Sequence, residues 1–213
     1  MSTRPALRTI RHAAWGAVAL LGALVLATGA GWLLTDGPGR STTGRVAEDA
    51  GPGIGGPFEM VDHRGRSVTE RDFAGRPMLV FFGFTSCPDA CPTTLADMSR
   101  WLEALGPDAS RLSALFVTVD PERDTPEQMA NYLGAFDSRI VGLTGTAAQV
   151  EAMGRAWRVH RSKVPTAEGY TMDHTSFVYL MDARGSFAGT INAMNQGEET
   201  AVAKLRGLLE RRA

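Results

Sequence analysis

Met78-Leu79-Val80-Phe81-Phe82-Gly83-Phe84-Thr85-Ser86-Cys87-Pro88-Asp89-Ala90-Cys91-Pro92-Thr93-Thr94-Leu95 is the stretch on which the fold depends. Its first seven residues are apolar throughout, as in a strand covered on both faces. Its second half carries the only two cysteines in 213 residues. Proline suits the first position of a helix and disfavours helical backbone in the residue before it. The sequence therefore predicts Cys87 in a loop, Cys91 as the N-cap, and a helix beginning at Pro92. Leu95, Met98, Leu102 and Leu105 form its apolar stripe, and Gly106-Pro107 ends it.

Upstream, Phe58-Glu59-Met60-Val61 and Ser67-Val68-Thr69 flank the turn signal Asp62-His63-Arg64-Gly65, which predicts a hairpin. Downstream, Leu112 to Val119 reads as a strand. Thr125, Pro126 and Gln128 form a capping pattern for a helix over 126–134. Ile140 to Leu143 reads as a short strand, and Thr146 with Gln149 caps a helix over 147–158. Arg158 to Tyr170 is polar and reads as loop. Thr175 to Met181 and Ser186 to Ile191 are strands joined by the turn Asp182-Ala183-Arg184-Gly185. Residues 198–211 form a last helix with Val202, Leu205, Leu208 and Leu209 inward. This order predicts an α/β domain, a mixed sheet with helices on both faces. It matches a thioredoxin-like fold with an N-terminal β-hairpin and an inserted strand–helix unit.

The N-terminus differs from the rest. Residues 13–34 contain no charge, and a bilayer core needs about 20 apolar residues as a helix. Trp15 and Trp32 sit near the two ends of the run, where amphipathic rings favour the interface. Arg4, Arg8 and Arg11 would hold residues 1–12 in the cytoplasm and export the C-terminal remainder of the chain. A cleaved signal peptide is the alternative, but its apolar region is usually about 7–15 residues. Residues 35–53 are rich in Gly, Pro, Ser and Thr and read as a flexible linker. The folded domain is expected over 54–213, in a compartment where thiols can oxidise. The net charge of −1 gives no reason to propose nucleic acid as a partner.

A thiol at a helix N-terminus meets the positive end of the helix dipole, so Cys91 is expected to have a lowered pKa. A thiolate is both a nucleophile and a metal ligand. A structural disulfide is the plainer reading, though so short a loop removes little entropy from the unfolded chain. Topology offers a third donor. If strand 175–181 runs antiparallel to strand 78–84, His174 lies at the same sheet edge as Cys87 and Cys91. A surface or core histidine remains the alternative. Two thiolates and an imidazole suit copper(I), copper(II) or zinc.

Asp173 is a candidate to orient His174, or a capping or solvated residue. Asp120 and Asp124 follow strand 112–119 and would share the edge if that strand is parallel to 78–84. They are open to a supporting role, to partner docking, or to simple turn and helix-start chemistry. His63 reads as a solvated turn residue and His160 as part of a solvated basic face. Met60, Met98, Met153 and Met172 show no copper-binding pattern and read as core.

Residues Phe82 to Leu95 resemble the signature of the Sco (SenC) family of copper chaperones. Val119-Asp120-Pro121-Glu122-Arg123-Asp124-Thr125-Pro126 and Asp173-His174-Thr175 match two further blocks of that family in the right order. The similarity covers about residues 54–195. It implies a domain tethered to the bacterial inner membrane and facing the periplasm. It implies a copper ion held by Cys87, Cys91 and His174. It also implies maturation of the CuA centre of cytochrome c oxidase, with subunit II and a periplasmic copper donor as partners. His160 departs from the family, whose members often carry an aromatic residue there. Two other chemistries compete. A thiol–disulfide oxidoreductase would use Cys87 and Cys91 as a redox pair, although thioredoxins space their cysteines by two residues. A peroxidase is disfavoured, because Thr85 lies at the wrong spacing from either cysteine.

Overall fold

The computed structural model describes residues 53–211. The segments expected to be cytoplasmic (1–12), transmembrane (13–34) and linker (35–52) lie outside the described residues. Among the described residues no helix is long and apolar enough to cross a membrane.

The predicted hairpin forms from β1 (Glu59–Asp62) and β2 (Ser67–Thr69). Then come β3 (Met78–Gly83), α1 (Ala90–Leu105), β4 (Ser113–Thr118), α2 (Pro126–Leu133), β5 (Ile140–Thr144) and α3 (Ala147–Ala156). A second hairpin, β6 (Arg161–Thr166) with β7 (Gly169–His174), occupies the stretch expected to be loop. The chain ends with β8 (Val178–Met181), β9 (Phe187–Ile191) and α4 (Glu198–Glu210).

Seven strands form one mixed sheet in the order β2-β1-β5-β4-β3-β8-β9. β3 pairs parallel with β4 and antiparallel with β8, which meets the two conditions on which the sequence reading placed Asp120, Asp124 and His174 at the cysteines' edge. The central strands β3 and β4 are buried at every residue. Alternate side chains of a strand leave opposite faces. Phe82 meets Trp157 and Tyr179 on one face. Phe81 stacks on Phe116 on the other, where α1 covers the sheet. α1 also packs against α4. The four strands β4-β3-β8-β9 with these helices are the thioredoxin-like part; β5 joins through the inserted unit, and β1-β2 extend its edge. β6 and β7 form a separate two-stranded sheet.

Local chemistry accounts for most element ends. Thr125 accepts the Gln128 N–H, and Thr146 and Gln149 form a reciprocal capping box. Gly106 ends α1 with φ of 57°. α3 stops two residues earlier than expected. Val159 N–H bonds Gly154 O at 2.8 Å and Arg158 N–H bonds Arg155 O at 3.2 Å. This is the Schellman closure, with Arg158 at φ 53° where glycine usually stands. His63 is not merely solvated. Its Nδ1 accepts the Gly142 N–H at 3.0 Å and ties the first hairpin's turn to β5. Met60, Met98, Met153 and Met172 are core, as expected.

Candidate metal centre

β3 ends at Gly83, opposite Thr118 of β4. The chain then loops through Phe84 to Asp89 before α1. The N-cap falls earlier than expected: α1 starts at Ala90, with Asp89 rather than Cys91 as its N-cap. Pro92 is accommodated because the first four N–H groups of a helix have no partner within it. Cys91 therefore lies inside the first turn and faces the sheet, with no exposed surface. Gly83 makes room for it. A Cβ there would stand 2.8 Å from Cys91 Sγ and 2.8 Å from Phe116 Cε2.

Cys87 is partly buried in the loop, and Cys91 N–H points at its sulfur at 3.4 Å. The expected acidity is thus reversed between the two thiols. Cys87 is held well below the ordinary thiol range. The Cys91 thiol, hydrogen-bonded to it, is the main cause; His174 and the Asp89 and Cys91 N–H groups add to it, against the cost of burial. Cys91 is pushed up, because it supplies that proton and is buried. The helix mouth does stabilise a thiolate, but the free N–H groups aim at the loop sulfur rather than at the one inside the turn.

His174 ends β7, rather than just preceding the next strand, and reaches the cysteines as topology predicts. Its Nε2 lies 3.8 Å from Cys91 Sγ. Its Nδ1 lies 2.9 Å from Thr175 O. A carbonyl only accepts, so Nδ1 carries a proton, and Nε2 is the ring nitrogen turned toward sulfur. The ring packs edge-on against Phe84 at 5.7 Å and Phe81 at 6.5 Å between centroids. Asp173 does not orient it. That carboxylate is exposed and lies 3.5 Å from His160 Nε2.

Asp124 and Asp120 sit at the same edge, as expected. Asp124 is fully buried and accepts from Thr85 N–H, from Thr85 Oγ1 at 2.6 Å and from Thr118 Oγ1 at 2.6 Å. Burial raises its pKa, and the Thr118 and Thr85 donors work against that rise. It ties the loop that carries Cys87 to β4. Asp120 accepts the Tyr170 hydroxyl at 2.9 Å and pairs with Arg123 Nε. Sequence reasoning passed over Arg123, although it lies between Asp120 and Asp124, and Tyr170, which falls in the stretch read as loop.

The donor set suits a soft metal ion. Bonds of about 2.3 Å to sulfur and about 2.0 Å to imidazole at a trigonal angle separate the two donors by about 3.7 Å. The 3.8 Å between Cys91 Sγ and His174 Nε2 matches that separation. Among the described residues no three His, Cys, Asp or Glu side chains stand close enough together, as placed, to hold a metal ion. The arrangement is an open one, with a buried thiol, a half-buried thiolate and an imidazole facing one another.

Residues 46–210 match the family model for SCO1/SenC. The chain belongs to the SCO1/SenC family. The human mitochondrial SCO1 homolog is 42% identical over 143 residues, 64% of this chain and 46% of that protein. The fission yeast Sco1 protein (Schizosaccharomyces pombe) is 38% identical over 155 residues, 70% of this chain and 59% of its own length. The chain thus spans about half the length of these curated SCO1 relatives. ScoI of Bradyrhizobium japonicum, solved with copper bound, is 47% identical with a TM-score of 0.69, over 73% of this chain and 99% of that one. Yeast Sco1, also solved with copper bound, is 36% identical with a TM-score of 0.69, over 76% and 91%. The thioredoxin-like fold expected from the order of elements is the fold of these SCO1/SenC relatives.

Proposed function

We propose that this SCO1/SenC protein is a copper metallochaperone that matures the CuA centre of cytochrome c oxidase. Cys87, Cys91 and His174 hold the ion. Subunit II of the oxidase receives it, and a periplasmic copper protein supplies it. Residues 13–34 tether the domain to the bacterial inner membrane, with the folded part in the periplasm. The observation that carries this reading is His174 Nε2 facing Cys91 Sγ at 3.8 Å, beside Cys87, whose pKa is lowered. Two thiolates neutralise copper(II) and leave copper(I) with a net charge of −1, and both states accept imidazole. Family membership and copper-bound relatives support the choice of metal.

The test is copper binding by the full-length protein in detergent. The wild type should bind about one ion per chain. His174→Ala should weaken binding at least as much as loss of an outer partner does, about 10–100-fold. Unchanged affinity in that variant would remove His174 from the site.

A second reading has its own support. A low-pKa, partly exposed Cys87 beside a buried Cys91 that keeps its proton is the arrangement of a thiol–disulfide reductase. The Cys87 thiolate would attack a target disulfide and release one target thiolate. Cys91, giving up its proton, would then displace the second target thiolate and close the Cys87–Cys91 bond. That chemistry dispenses with His174. Full oxidase assembly with His174→Ala but none with Cys91→Ser would favour it.

A further inference from the structure

β6 and β7 hydrogen-bond only to each other as a sheet, so no ladder joins their ribbon to the seven-stranded sheet. His174 ends this ribbon. Its place beside the thiols therefore depends on what docks the ribbon to the domain. Tyr170, Met172 and His174 alternate along one face of β7, and Met172 is buried, so that face is turned inward.

Three cations reach across. Lys163 pairs with Glu122 at 2.6 Å, but both are exposed, and such pairs contribute little. Arg161 donates to Val119 O at 2.9 Å from the far strand of the ribbon. Arg123 touches both the histidine strand and the cysteine loop. Its guanidinium lies 4.0 Å over the Tyr170 ring and 5.7 Å over the Phe84 ring. Its Nη1 donates to Tyr170 O at 3.1 Å. Asp120, itself buried, holds the Arg123 Nε and accepts the Tyr170 hydroxyl at 2.9 Å, closing a triangle. Phe84 is also the ring that His174 packs against, at 5.7 Å and 89°.

We infer that Arg123 is a positioning residue for His174. It clamps β7 to the β4–α2 loop through Tyr170 and Asp120, and it braces the Phe84 ring on which the imidazole rests. A planar guanidinium can stack on two rings while donating sideways; an ammonium cannot. Arg123 touches neither sulfur nor the imidazole, so its effect on the site runs wholly through placement.

The test uses the full-length protein in detergent, with and without copper. In the metal-free protein, proton–proton NMR contacts between the His174 and Phe84 rings read the placement directly. They should be strong in the wild type and in Tyr170→Phe, which keeps the stacked ring. They should fall at least about twofold in Arg123→Ala and in Tyr170→Ala. The second arm rests on the reading of His174 as a copper ligand. Copper(I) affinity should fall about 10–100-fold in Arg123→Ala and stay within about twofold in Tyr170→Phe. Wild-type ring contacts in Arg123→Ala, with the core amide spectrum intact, would overturn the inference. If Arg123→Ala does not fold, the pair Tyr170→Ala and Tyr170→Phe decides by the same contacts. Failure of the wild type to bind copper would refute the proposed function and leave the metal-free result standing.

Discussion

Cys91 offers its backbone N–H to Cys87 Sγ at 3.4 Å and keeps its own sulfur out of solvent. Two thiols from one short motif therefore react differently. Cys87 should be alkylated by iodoacetamide at a rate nearly level between about pH 6 and pH 9, where an ordinary thiol with pKa about 8.5 speeds up as it ionises. A lowered pKa leaves Cys87 ionised already at the start of that window. Cys91 should stay unmodified until the domain unfolds. Peptide mapping after a timed pulse checks both, and preferential labelling of Cys91 would reverse the assignment. Gly83 is the second residue with a sharp requirement. An added methyl would press on Cys91 Sγ and on the Phe116 ring, both within 2.8 Å. Gly83→Ala should cost about 1–3 kcal/mol in chemical denaturation, the usual range for overpacking a core.

The first hairpin is stitched to β5 by more than its ladder. His63 Nδ1 can accept the Gly142 N–H only while it is unprotonated. Burial first, and the neighbouring Arg64 charge second, lower the pKa of His63 below the usual 6.5. The unfolded chain therefore takes up its proton before the folded one. Stability from this group is complete above about pH 6.5 and is lost as pH falls towards the folded pKa. Denaturation midpoints at pH 7 and pH 5 should show a loss of about 1 kcal/mol, the worth of one hydrogen bond. His63→Ala should lack that increment, because it has no bond to lose. An equal loss in both proteins would place the titration elsewhere. In the second hairpin only β7 contributes a buried residue, Met172. β6 is intermediate or exposed at every residue, so it is held as a ribbon by its partner strand and by side-chain clamps.

Across the molecule, the site was legible because sheet connectivity is. An apolar run such as Met78 to Phe84 belongs at the centre of a sheet. A helix after it and a hairpin returning antiparallel bring Cys87, Cys91 and His174 to one edge. Other features left no readable mark. The residues Arg161-Ser162-Lys163-Val164-Pro165-Thr166 include no fully buried side chain, so hydrophobic alternation has nothing to report. Arg158 closes α3 in a conformation that glycine would have advertised. Proline at the third helical position looks the same in sequence as proline at the first, and so the helix began two residues early. The acidity of the two thiols turned on that difference. Arg123 stands beside Asp124 in the chain, but its partner Tyr170 lies 47 residues away, beyond the reach of local pattern.

The donors of the site lie at different depths. Cys91 has no surface, while Cys87 and His174 are half open. On the copper reading proposed above, an ion held by these three would be reached first through Cys87 and His174, and the inner sulfur would let go last. Transfer would then be a staged handover that works from the exposed donors inward.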